Sequence, residues 1–193
     1  MKHTLIRTLP VIDRRATLRW LAGALAVGQL AACGETFGES AWLAPTPITG
    51  NGTGRDPNLL EPAAPWPLTL TQAELLATKA LVDLILPAEG DAPAASEVGV
   101  PAFIDEWVSA PYPTQQEHRA LIVPGLAWLD AEAIARGGKR FALLDAAAMK
   151  AIANDIAFGG RLKAGLEKPA EFFSRMRALT MGAYYTTPAG WND

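Results

Sequence analysis

One cysteine, two histidines and few charges set the first limits on this chain of 193 residues. The lone Cys33 excludes a disulfide framework, a thiolate zinc site, an iron–sulfur cluster and a CxxCH haem attachment. One of the two histidines is His3, so chemistry that needs an imidazole must turn to His118. The formal charge of −3 gives no basic footprint for nucleic acid. No GxGxxG follows a strand, and no GxxxxGK[ST] and no GxSxG is present. No alternating run is long enough for a sheet, and no internal repeat is visible. What the chain does have is apolar material: half its residues are hydrophobic and six are Trp, enough for a packed core of one domain.

Arg14 and Arg15 are adjacent within Asp13-Arg14-Arg15-Ala16-Thr17-Leu18-Arg19. An uncharged run of 13 residues follows, from Trp20 to Ala32. That is short of the roughly 20 residues a membrane span needs. Its length is that of a signal-peptide apolar region, and the paired arginines before it read as a twin-arginine (Tat) signal. The run ends Leu30-Ala31-Ala32-Cys33-Gly34, a lipobox-like pattern whose thiol would carry a diacylglycerol. Simple cleavage at an alanine-rich site is the other reading. We expect lipidation, because the only Cys sits where that chemistry requires one. Residues 1–33 hold five basic residues and one acidic, and the remainder holds 12 basic and 19 acidic, or −7. A domain of that sign has no electrostatic attraction for anionic lipid, so membrane attachment falls to the lipid or to a partner.

Residues 34–68 contain six prolines and five glycines, which predicts an extended tether. Trp42 and Trp66 leave two readings of that stretch: a free linker, or one pinned to a protein surface.

From residue 69 the signals are helical, and we expect an all-α domain of about five short helices over residues 69–193. Thr71 with Glu74 forms a capping box, opening a helix that Pro87 ends. Leu81, Leu84 and Leu86 make it apolar almost all round, as in a central helix. Pro101 fits the first turn of a second helix, residues 103 to about 109. A second box, Thr114 with Glu117, opens a third helical region, which Pro124 interrupts, and its stronger piece spans residues 126–136. Asp145 caps a fourth helix containing Met149, Ile152 and Ile156. Pro169 sits in the first turn of a fifth, where Phe172, Met176, Leu179 and Ala183 share a face. The end, Tyr184 to Trp191, reads as aromatic and irregular.

Candidate chemistry is sparse. His118, between Glu117 and Arg119, reads as a solvated surface side chain, with a general base as the sharper alternative, although no nucleophile pairs with it. Asp83, Glu89, Asp91, Glu97, Asp105 and Glu106 gather around the 87–99 loop, which lacks EF-hand spacing. Asp83, alone in an apolar helix, reads as bonded to a backbone N–H or a cation. Trp107, Tyr112 and Trp128 read as core or interface side chains, with cofactor stacking the lesser reading.

An ordered set of segments resembles the gluconate 2-dehydrogenase subunit 3 family. It comprises Leu84-Ile85-Leu86-Pro87, Pro93-Ala94-Ala95-Ser96-Glu97-Val98-Gly99-Val100 and Phe103-Ile104-Asp105. Gly125-Leu126 with Leu129-Asp130, Phe141-Ala142-Leu143-Leu144-Asp145 and Phe172-Phe173 leading to Thr180-Met181-Gly182-Ala183-Tyr184-Tyr185 continue it. Ala94 stands where that family commonly has Gly. The resemblance implies a non-catalytic small (gamma) subunit with no cofactor or metal of its own. The implied partner is a large FAD-dependent dehydrogenase of the glucose–methanol–choline (GMC) type, acting on a sugar, glucoside or gluconate, with a possible cytochrome c subunit carrying haem c. The expected location is the periplasm, reached by Tat export and held at the membrane through Cys33. Trp107, Tyr112, Tyr184, Tyr185 and Trp191 are the expected interface anchors, since Trp and Tyr are enriched at such surfaces. The alternatives are a stand-alone envelope scaffold and an independent enzyme using His118.

Overall fold

The computed structural model describes residues 42–49, 66–158 and 162–192. Six helices fill it: α1 (Gln72–Ile85), α2 (Val100–Ser109), α3 (Pro113–Gly137), α4 (Ala146–Ala157), α5 (Glu167–Tyr185) and α6 (Pro188–Trp191). Short 3₁₀ turns at Ala95–Val98 and Phe141–Leu143 join them, and no strand occurs among the described residues. The all-α expectation holds, with α6 as a short addition to the five long helices. No helix among the described residues is long and apolar enough to cross a membrane.

Local chemistry explains most helix ends. The Thr71 Oγ1 accepts the Glu74 N–H, and Glu74 Oε2 accepts the Thr71 N–H at 2.7 Å. Beyond α1 the chain tightens through Gly90 at φ +57° and a bridge between Glu89 and Ala92. Gly99, at φ +87°, then turns the backbone directly into α2, which therefore starts three residues earlier than expected. Asp145 Oδ1 accepts the Ala148 N–H at 2.8 Å and opens α4. Tyr184 and Tyr185 close α5, and Thr187 caps α6 by accepting the Gly190 N–H, so the end from Tyr184 to Trp191 is not irregular.

The largest departure is α3. It runs unbroken for 25 residues, about 38 Å at 1.5 Å per residue. Thr114 makes no cap, because the helix already begins at Pro113 with Tyr112 as its N-cap residue. Pro124 lies inside and does not interrupt it. Proline removes one backbone bond there. The flanking residues Ile122, Gly125, Leu126, Trp128 and Leu129 are all buried, and their packing outweighs that loss.

The long helices α3 and α5 form the centre, with α1, α2 and α4 packed around them. They meet at Gly125, where the Phe172 ring occupies the space a Cβ would need. Phe172, Met176 and Ala183 are buried and Leu179 half-buried, as the spacing predicts. The helix α1 is less enclosed than expected: Ala77, Thr78, Leu81 and Val82 are buried, but Leu76 is 48% exposed. The described part of the tether is not a free linker. Trp42 packs against the core, and the Ile48 N–H donates to Gln116 Oε1 at 2.8 Å.

Candidate functional site

A buried polar arrangement lies where residues 66–70 cross the corner between α2 and α3. Asp105, on the inner face of α2, is only 3% exposed. Its Oδ1 accepts the Thr69 N–H at 3.2 Å, the Leu70 N–H at 3.0 Å and the Ser109 hydroxyl at 3.2 Å. Ser109 lies four residues along the same helix, so the two side chains share a face. Because Ser109 gives its proton to Asp105, Thr69 is the donor in the 2.8 Å hydroxyl pair between Thr69 and Ser109. Arg119 Nη1 then donates to the freed Thr69 oxygen at 2.6 Å. The chain of bonds runs one way, from guanidinium to carboxylate. Burial pushes the Arg119 guanidinium below its ordinary value, against the pull of Glu74 and Asp105. The network fastens the chain entering α1, and within it Arg119 Nε is buried with no hydrogen-bond partner.

A ring of aromatics surrounds this corner. Trp66 Nε1 donates to the Glu106 carbonyl at 3.2 Å, and its ring meets Tyr112 edge-on, centroids 5.6 Å apart. Phe103 and Trp107, one turn apart on α2, lie 5.7 Å apart. Trp107 Nε1 donates to His118 Nδ1 at 2.9 Å. His118 is therefore not a solvated side chain. It is half-buried and joins α2 to α3. Burial first, and Arg175 second, hold its imidazole below the ordinary value, with Glu117 opposing.

The expected interface anchors separate. Trp107 and Tyr112 are half-buried at the corner, while Tyr185 and Trp191 are exposed at the far end of α5 and on α6, Trp191 by 82%. Tyr184 has no exposed surface, and its hydroxyl donates to the Pro93 carbonyl at 3.1 Å. It is a core side chain, because its position on α5 faces inward beside Ala183. Arg14, Arg15 and Cys33 lie outside the described residues.

The carboxylates around the 87–99 loop do not converge. Asp83 accepts the N–H and the hydroxyl of Ser96, each at 2.8 Å, which is the structural role expected of it. Asp105 serves the corner instead. Among the described residues no three His, Cys, Asp or Glu side chains are placed to hold a metal ion. A depression of ≈ 330 Å³ opens between the end of α4 and the start of α5, walled by Ile156, Leu162, Glu167, Ala170, Ser174 and Arg177. Neither His118 nor the acidic loop contributes to it. Sequence reasoning missed the Thr69–Ser109–Arg119 network; its one visible signal is Asp105 with Ser109 four residues on, on one face of a helix whose other polar residue is Glu106.

The family described as gluconate 2-dehydrogenase subunit 3 matches residues 72–193. No curated protein and no solved structure matches the chain significantly. The match begins at the first residue of α1, runs through every helix of the domain and covers well over half of the chain. The chain belongs to the gluconate 2-dehydrogenase subunit 3 family.

Proposed function

We propose that this chain is the non-catalytic small subunit of a periplasmic FAD-dependent dehydrogenase of the GMC type, acting on a sugar, glucoside or gluconate. It grips the large subunit, supports its folded export through the Tat signal at Arg14 and Arg15, and holds it at the membrane through lipidated Cys33. FAD belongs to the large subunit, and haem c to a cytochrome subunit where one takes the electrons. The observation that carries this reading is the family match over all six helices, since that family is named as a subunit of a dehydrogenase. The exposed aromatics Tyr185 and Trp191 support it, as large apolar side chains left on a surface mark contact with another protein.

The test is affinity capture of the full chain from its native cell, with mass spectrometry and a visible spectrum of the eluate. A large flavoprotein and its yellow absorption in the eluate bear the reading out. Capture of the chain with envelope proteins but no flavin, repeated under gentle extraction, refutes it. Lysine at both Arg14 and Arg15 then separates the export role. Dehydrogenase activity should stay in the cytoplasm, and activity that still reaches the envelope removes the escort function.

A further inference from the structure

Between Cys33 and the first residue of α1 lie 38 residues, a long tether if it were free. The chain returns to the domain much sooner. Trp42 packs against the core. The Ile48 N–H donates to Gln116 Oε1 at 2.8 Å, while Gln116 Nε2 donates to the Ala110 carbonyl at 2.6 Å. That amide is bonded at both ends, so it is a fixed receiver and not a flexible side chain that happens to be near. Downstream, Trp66, Thr69 and Leu70 are fastened separately, to Glu106 and to the Asp105 network.

We infer that residues 42–48 form a strap that shortens the membrane leash and keeps the domain against the bilayer. The inference rests on the lipid reading of Cys33. From Cys33 to Trp42 is a span of nine residues, so the domain's first fixed point lies no more than about 32 Å from the lipidated residue at ~3.3–3.6 Å per residue. Without the strap the next fixed point among the described residues is Trp66, 33 residues away, and the limit rises to about 119 Å. The strap thereby sets the height of the domain, and of anything it grips, above the lipid surface.

Two insertions separate the cases. A 12-residue Gly/Ser segment placed after Gly38 lengthens the leash with or without the strap. The same segment after Gly52 lengthens it only if the strap is absent. Full-length chain is attached to vesicles carrying dansyl headgroups, and energy transfer from its tryptophans reports distance. Attachment is by the native lipid in one arm, and in the other by coupling the Cys33 thiol of unlipidated chain to a maleimide lipid. The second arm tests the strap even if cells do not lipidate Cys33; in that event native chain fails to float with vesicles, and the lipid reading alone is lost.

The insertion after Gly38 should cut transfer by about half, and the insertion after Gly52 should leave it unchanged. In a Trp42→Ala, Gln116→Ala background the insertion after Gly52 should become as effective as the other. Equal loss of transfer from both insertions in the unmutated background overturns the strap. So does a double variant that gains no response to the insertion after Gly52.

Discussion

The indole of Trp107 gives its only N–H to Nδ1 of His118, at 2.9 Å, tying α2 to α3. The rings are 20° from parallel with centroids 5.8 Å apart, so the bond joins them edge to edge. Indole nitrogen can only donate, which requires a bare Nδ1 and places the proton of neutral His118 on Nε2. A proton added to Nδ1 would set donor against donor. Protonation of His118 and this bond are therefore mutually exclusive.

A pH dependence follows, and its sign is fixed. The folded value lies below the ordinary imidazole value of about 6.5, through burial and then Arg175. The folded chain thus binds this proton less readily than the unfolded chain. The stability due to this site is complete above the unfolded value and is lost as pH falls through the folded one. Urea titrations between pH 7.5 and 5 (a window bracketing the imidazole range) should show the loss, and His118→Phe should remove it. In nitrogen-proton spectra, the indole signal that disappears in Trp107→Phe should shift over the same interval. An unmoved indole signal would mean that the bond is not made.

Asp105→Ala should destabilise the domain by about 3 kcal/mol, since it strips the acceptor from the Leu70 N–H and the Ser109 hydroxyl and leaves the Thr69 N–H only Ser109 Oγ, at 2.9 Å. Asp105→Asn keeps one oxygen for those donors and should cost about half as much. Urea midpoints measure both. Equal costs would mean that the carboxylate charge, not its hydrogen bonds, holds the corner.

Two glycines should respond to alanine with opposite signs. Gly182 sits inside α5 with open space where a Cβ would go, so Gly182→Ala should stabilise by about 0.5–1 kcal/mol through helix propensity. Gly125→Ala drives a methyl into the Phe172 ring and should destabilise by about 2 kcal/mol despite the same propensity gain. Thermal unfolding of the pair decides it. A stabilised Gly125→Ala would show that α3 and α5 are not in contact there.

Tyr184 and Tyr185 should behave differently although adjacent. Tyr184→Phe loses the bond to Pro93 and should cost about 1 kcal/mol of stability. Tyr185→Ala with Trp191→Ala should cost no more than about 1 kcal/mol, from the edge-on contact of Tyr185 with Tyr184, while weakening capture of the proposed large subunit. Undiminished capture by that double variant would place the docking face elsewhere, with the corner around Trp107 and Tyr112 next in line.

The legible parts of the fold were those whose causes lie within a few residues. Thr71 with Glu74, Pro87, and Asp145 ahead of Ala148 each mark a helix end by a local bond or a missing one. Pro124 misled because its local penalty is real but is outweighed by side chains brought in from other helices. Thr187 before Pro188 carried a cap signal of the same kind, overlooked among Gly and Pro. The corner was illegible for a different reason: Thr69 and Asp105 are separated by 36 residues, and Trp107 and His118 lie on different helices. Nothing in the spacing of either pair announces that they meet. The family resemblance, by contrast, was carried by short ordered segments and needed no geometry.

The hydroxyl of Tyr184 reaches back across 91 positions to the Pro93 carbonyl. A chain leaving the ribosome N-terminus first cannot finish its earliest loop until its last long helix has been made. This part of the domain therefore closes only when nearly all of its chain has been made, an order of events that suits the folded export proposed above.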